Sequence, residues 1–440
     1  MNMMIMQKGI LKCVSVFFIL ILTSSFYFPV ITVGMSGTNS KMLLAAVGLC
    51  IYLIQLACKR IGAFNKDTFI LSIWAATVSL IAIVSMIYNN TFDNIYGSYI
   101  ISMWVWIGAA YAVVKAIQWV HGYTSVRLVG TYLMGVCVLQ CLLALLIDGI
   151  PEVKQVIDTY FLQGAEFMER TNRLYGIGAA LDVSGIRFSC VLVIIAVILA
   201  TLSETESRKY TFFYLMAFIW ISIVGNMIAR TTTVGVFLGM TYLIYKTRLY
   251  TLHIKVNEHI RLWMYFGILL IIAVFVSAYL YQVDLKFRHD FRFAFEGFFS
   301  LAEEGKWNVS SNNTLKFMYV FPDNIKTWII GDGYLSNPAD VDPYFTGKII
   351  KGFYMGTDVG YLRFIFYFGL IGLIVFTGLF HKASQICQNR FPNQKDMFIL
   401  LLIVNYIVWF KVSTDVFSTF AILLMIDKEK TQKTNNEYES

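Results

Sequence analysis

Twelve mostly apolar stretches follow one another along the chain, separated by short polar segments and by two long ones. They predict helices near 13–33, 42–58, 69–88, 99–120, 128–147, 186–202, 210–228, 231–246, 262–281, 358–380, 397–410 and 416–426. Runs of about 17–22 apolar residues are long enough to cross roughly 30 Å of hydrocarbon. The last two stretches are short, and Lys411 and Asp415 in the string WFKVSTDVF would each cost about 2.5–3.5 kcal/mol at a bilayer centre, so a turn is expected there. The pattern predicts an all-α polytopic membrane protein with about twelve crossings, or eleven if the C-terminal pair is one tilted helix.

The same pattern divides the chain into five helices in 1–147, a large loop over 148–185, four helices in 186–281, a second large loop over 282–357, the C-terminal helices in 358–426 and a polar tail over 427–440. Val14 to Val33 follows Lys8 and Lys12 without a closing Ala-x-Ala, so a retained first helix is expected rather than a signal peptide.

Composition strengthens the membrane assignment, because 58% of residues are hydrophobic and 14% charged, whereas soluble domains run at about 45–50% and about 25%. None of the seven cysteines falls in a long loop, so no disulfide framework is expected there. The net charge of +8 is spread over short loops, a pattern of membrane orientation that gives no support to nucleic-acid binding. With the N-terminus inside, the cytoplasmic segments collect basic residues from Lys59 and Lys66 to Lys382, Arg390 and Lys395. Short outer turns hold only Lys41, Arg230 and Lys411, which places both termini in the cytoplasm and both long loops outside.

A carrier that rocks about a midplane site generally has short connections and ionisable groups within its helices. Here the helices are nearly charge-free and the polar chemistry gathers in the two loops and at the helix ends beside them. Around the first loop stand Arg170, Arg173, the Ser184-Gly185-Ile186-Arg187 helix start and Asp182. Arginine's planar fork suits phosphate oxygens and stays charged at any relevant pH. Arg230 lies in a tight turn with Thr231, Thr232 and Thr233, and neither it nor Arg187 has an obvious acidic neighbour in sequence. In the second loop Phe287, Phe291, Phe295 and Phe298 recur at helical spacing with Arg288 and Arg292 on the adjoining stripe, which predicts an amphipathic helix on the outer leaflet. His289 is the one outward histidine and the Asp340-Val341-Asp342 pair sits between prolines in a turn, so no metal site is expected. The densest cluster is Gly331-Asp332-Gly333-Tyr334, then Gly356-Thr357-Asp358-Val359-Gly360-Tyr361-Leu362-Arg363, running into the Phe364 to Gly372 helix.

In that order and loop placement these motifs resemble the bacterial O-antigen and capsular polysaccharide polymerases (Wzy type) and, more distantly, the O-antigen ligases. The matching segments are Arg173 with Gly176, Ser184 to Arg187, Ala229-Arg230-Thr231, Gly331 to Gly333, and Asp358 to Gly372. Two departures stand out: where the family often has an arginine ahead of the Gly-x-Gly this chain offers Lys316, which leaves Lys316, Arg288 and Arg292 as candidates for the second-loop cation, and Asp358 stands where related ligases have histidine.

The resemblance implies metal-independent glycosyl transfer, without a cofactor, on the outer face of a bacterial plasma (inner) membrane. The donor would be a glycan on undecaprenyl diphosphate and the acceptor a sugar hydroxyl of a lipid-linked repeat unit. A chain-length-regulating co-polymerase and a flippase would be partners alongside membrane lipid. Asp358, Arg230 and Arg187 would be catalytic, and Arg173, Arg288, Arg292, Lys316, Tyr361 and Arg363 would bind substrate. A ligase acting on lipid A core and a lipid-linked oligosaccharide flippase are the alternatives.

Overall fold

Within hydrocarbon every backbone N–H and C=O must find a partner inside the protein, and a helix supplies one for all but its ends. The computed structural model, which describes residues 2–30, 39–59, 65–161, 173–251, 259–341 and 352–427, meets this with helices throughout. They are α1 (Asn2–Tyr27), α2 (Ser40–Ala57), α3 (Lys66–Asn89), α4 (Tyr99–His121), α5 (Val126–Gly149), α6 (Pro151–Tyr160), α7 (Leu181–Thr201), α8 (Glu204–Ile228) and α9 (Thr232–Lys246). There follow α10 (His259–Val283), α11 (Leu285–Ala294), α12 (Glu296–Glu304), α13 (Ser310–Phe317), α14 (Ile325–Ile329), α15 (Pro338–Val341), α16 (Gly360–Arg390), α17 (Lys395–Val408) and α18 (Phe417–Leu424). Among the described residues eight are long and apolar enough to cross a membrane, namely α2 to α5, α7, α8, α10 and α16. Residues 31–33 of the expected first helix, Arg170, Asp342 and the tail from 428 lie outside the described residues.

Helix ends are closed by the residues beside them. Asn39 accepts from the Met42 N–H at 3.2 Å, Ser125 from the Leu128 N–H at 3.2 Å, and Ser203 with Glu206 forms a reciprocal box at the start of α8. Each such cap contributes about 1 kcal/mol. The core lies around α7, of whose apolar window 83% is buried, against α5, α8, α9 and α17. By contrast only 6% of the α10 window and 11% of the α2 window are buried, so these two turn most of their apolar surface outward, as lipid-facing helices do. Helices α2 and α4 meet where a Cβ at Gly48 would stand 1.9 Å from the Gly108 carbonyl oxygen, a close approach that small residues permit.

Side-chain contacts sort the helix ends into two faces. At one, Tyr27 meets Thr419 at 2.9 Å, Lys326 donates to Asn89 at 2.7 Å, the Leu335 N–H to Asp93 at 2.8 Å and Lys286 to the Asp148 carbonyl at 2.7 Å. At the other stand the ion pairs Arg390–Asp67 at 2.7 Å, Lys246–Asp396 at 2.7 Å and Arg127–Glu206. The first is called the loop face below, because residues 284–341 and 352–359 gather there.

Two elements differ from the sequence pattern. Where one late helix is expected, α16 breaks at Phe368 and Gly369, the latter at φ 67° and ψ −173°. The Phe366 and Tyr367 carbonyls accept instead from the Asp332 N–H at 2.5 Å and the Gly333 N–H at 3.1 Å, and Ser85 donates to the Tyr367 carbonyl at 2.7 Å. A Cβ at position 369 would lie 2.0 Å from the Ile329 carbonyl oxygen, so glycine is required by space as well as by φ. Residues 360–367 thus form a separate segment, held by the Gly331-Asp332-Gly333 turn. The expected amphipathic helix over Phe287 to Phe299 is likewise two helices, α11 and α12, divided at Phe295. The turn expected around Lys411 and Asp415 is present between α17 and α18.

Candidate functional site

Asp182, in the first turn of α7, ties three elements of the loop face together. It accepts from Lys411 Nζ at 2.7 Å and from the Thr231 hydroxyl, and Arg173 and Asp358 lie within its electrostatic reach. Beside it Arg230 and Arg173 approach the same ring, that of Phe293, at 4.0 and 5.3 Å. Arg230 is heavily engaged: Nε donates to the Phe293 carbonyl at 2.8 Å, and Nη1 reaches Ser311 Oγ at 3.2 Å and Glu296 at 2.6 Å. The acidic partner that sequence proximity did not reveal is therefore Glu296, and Arg230 clamps the second loop to the α8–α9 turn. Burial lowers the Arg230 pKa, and the Glu296 charge opposes that effect. Arg230→Ala and Glu296→Gln are each expected to lower the melting temperature of the purified protein. A double-mutant cycle should return a coupling of about 0.5–3 kcal/mol, and additive effects would show that the pair holds nothing.

Asp358 stands just before α16, but the N-cap is Val359, which makes no side-chain cap bond. Its carboxylate meets Arg363 Nη1 at 3.3 Å instead. Burial pushes the Asp358 pKa up to about 6, Arg363 draws it down and the charge of Asp182 adds to the rise. A carboxylate titrating there is better matched to taking a proton near neutrality than an ordinary one. Arg363 also donates to Ser413 Oγ at 2.8 Å and the Leu335 carbonyl at 3.0 Å, lies 4.5 Å from the Phe353 ring, and keeps a buried Nε without a partner.

Arg187, one and a half turns into α7, is part-buried with its guanidinium 5.6 Å from Phe28, 5.9 Å from Trp106 and 6.0 Å from Tyr27. Among the described residues it has no side-chain hydrogen bond and no ion pair. Arg187 is therefore a cation held among rings with no ionic partner among the described residues.

The remaining expected site residues are elsewhere. Tyr361 packs edge-on against Trp409 and Phe410 and donates to the Tyr406 carbonyl at 3.0 Å, so its ring is not offered to a sugar. Arg288 donates to the carbonyls of Tyr281 and Gln282 at 2.8 and 3.2 Å, closing the end of α10. Arg292 pairs through both terminal nitrogens with Glu303, at 2.7 and 2.6 Å. Lys316 is exposed on α13 with no polar contact to a described residue. Arg230, His289, Arg292, Glu296, Phe299 and Asn308 line an open cleft of about 420 Å³ beside the Arg230 clamp. Asp290, next to His289 in the chain, is pushed by burial up to about 6. Among the described residues no group of three or more His, Cys, Asp or Glu side chains is placed to hold a metal ion.

Sequence reasoning passed over Lys411 and Lys41 as site residues, although each is a lone cation in a short turn expected outside, the same signal that drew notice to Arg230. No protein-family model, curated protein or solved structure matches this chain at a significant level.

Proposed function

We propose that the protein joins lipid-linked oligosaccharide repeat units into a polysaccharide at the outer face of a bacterial plasma membrane, with the loop face outward. The observation that carries this reading is the unpaired Arg187 guanidinium on the same face as Asp358, a carboxylate raised to about 6. In the proposed step an acceptor hydroxyl oxygen attacks the anomeric carbon of the donor and the bond from that carbon to the diphosphate oxygen breaks. The hydroxyl proton passes to Asp358, and the departing undecaprenyl diphosphate keeps the electron pair. Arg187 and Arg173 stabilise its negative charge, a role that fixed donors perform without reorganising. Inversion at the sugar fits this division, with base and leaving group on opposite sides of the ring. Lys411 and Asp182 hold the turns that carry the reacting groups.

Deletion of the gene in the producing bacterium tests the reading. Surface glycans carrying a single repeat are expected. Bare lipid A with lipid-linked single repeats retained on the inner leaflet would identify a flippase, and bare lipid A with lipid-linked polymer accumulating on the outer leaflet a ligase.

Orientation has its own test. In a background without the exposed Cys13, Cys50 and Cys58, Asn312→Cys is expected to react with an impermeant thiol reagent on intact spheroplasts and Thr205→Cys is not. Reversed labelling would put the loop face in the cytoplasm and remove the site from its proposed substrates.

A further inference from the structure

We infer that Lys41 is the second cation of the anion site: with Arg187 it forms a cradle, built around the ring of Trp106, for a phosphate or diphosphate ester. This rests on the proposed role of Arg187. Lys41 is the second residue of α2, and its Nζ stands 4.2 Å from the centre of the Trp106 ring. Arg187 comes to the same ring from α7, at 5.9 Å. Among the described residues neither side chain has a hydrogen bond or an ion pair, although an ammonium carries three donors and a guanidinium five.

Buried and part-buried charges are ordinarily paired, and two like charges on one ring disfavour each other. The one carboxylate in electrostatic reach of both, Asp415, lies beyond ion-pair distance and accepts from the Phe417 N–H at 2.8 Å. An aromatic face attracts a cation more weakly than an anion does, so Trp106 positions the two charges without satisfying them. What satisfies both at once is a multiply charged oxyanion, whose several oxygens accept from the two donors together. A carrier-lipid diphosphate has that chemistry and approaches along the membrane surface, where the outer ends of α2 and α7 stand. Structural need does not explain Lys41, because the rest of its turn is already closed by Asn39 and Ser40, the latter donating to the Ser25 carbonyl at 2.7 Å.

The test uses the full-length protein in nanodiscs of phosphatidylcholine, with farnesyl diphosphate as the probe and calorimetry as the readout. Trp106→Phe reports whether the change in tryptophan fluorescence on binding arises at the cradle. Wild type should bind, Lys41→Met at least tenfold more weakly, and Lys41→Arg within a fewfold of wild type. Lys41→Met should melt no lower than wild type, since an unpaired cation has gone; a lower melting temperature with unchanged affinity would mark Lys41 as a packing residue and overturn the inference. Absence of farnesyl diphosphate binding by wild type would overturn it too. Farnesyl diphosphate binding that disappears in phosphatidylglycerol nanodiscs would assign the cradle to ordinary head groups and overturn the carrier source. Inorganic pyrophosphate binding more weakly than farnesyl diphosphate supports that source. Lys41-dependent binding by a protein that forms no polymer would leave the cradle standing and refute the polymerase reading alone.

Discussion

Arg187→Ala is expected to stop chain elongation, slowing transfer by about 10²–10³-fold, the usual cost of removing one preplaced donor from a developing anion. The physical ground is the absence of a partner: Arg187 has no side-chain bond to a described residue, so its charge remains available to a ligand. The variant should insert and fold, because alanine breaks no hydrogen bond or ion pair with a described residue, leaves a gap among Tyr27, Phe28 and Trp106, and leaves Lys41 in electrostatic reach of Asp415. Arg187→Lys keeps the charge but loses the planar fork, so shorter polymers at normal protein level are expected. Gel ladders of surface glycan, normalised to protein in the membrane fraction, decide the matter. A full-length ladder from Arg187→Ala would show that the arginine is an interfacial anchor.

Asp358→Asn should be nearly as damaging, and its pH behaviour distinguishes chemistry from structure. A base acts when ionised, so wild-type transfer should fall as pH drops through the Asp358 pKa of about 6 and level off above it. In Asp358→Asn the rate should be lower by about 10²–10⁴-fold, and the acid limb should vanish because the group that titrates is gone. Asparagine keeps the shape and can still accept from Arg363, and no cap bond is lost since the α16 N-cap is Val359. Rates measured in membrane vesicles across this range check both points. A variant as active as wild type, with the limb intact, would move the base to Asp290, among the described residues the other loop-face carboxyl that burial raises to about 6.

The helices were legible because an apolar run of bilayer length leaves the backbone little choice, and the Lys411–Asp415 turn because two charges in an apolar run have a known cost. The break at Phe368–Gly369 was not legible. It depends on the Asp332 and Gly333 N–H groups arriving from a distant turn to take the displaced carbonyls, and a Phe-Gly pair inside an apolar run carries no mark of that. Long-range pairing limited the site in the same way. Arg230 looks free in sequence because Glu296 comes from another loop, and Tyr361 looks like a sugar platform until Trp409 and Phe410 cover it. Asp358 stands just before a helix in the sequence, and its carboxylate meets Arg363 while Val359 is the N-cap. Lys41 was within reach of sequence reasoning as a cation on the wrong side of the charge asymmetry, but its meeting with Arg187 at Trp106 belongs to the packing of α2 and α7.

The central claim is that this chain by itself elongates a lipid-linked glycan. Purified protein in liposomes, supplied with lipid-linked repeat units extracted from cells that lack the gene, should yield a ladder of longer glycans and release undecaprenyl diphosphate in proportion to the linkages formed. Arg187→Ala and Asp358→Asn preparations should yield neither. Repeat units that remain single with active wild-type protein, or that only change leaflet, would contradict the account.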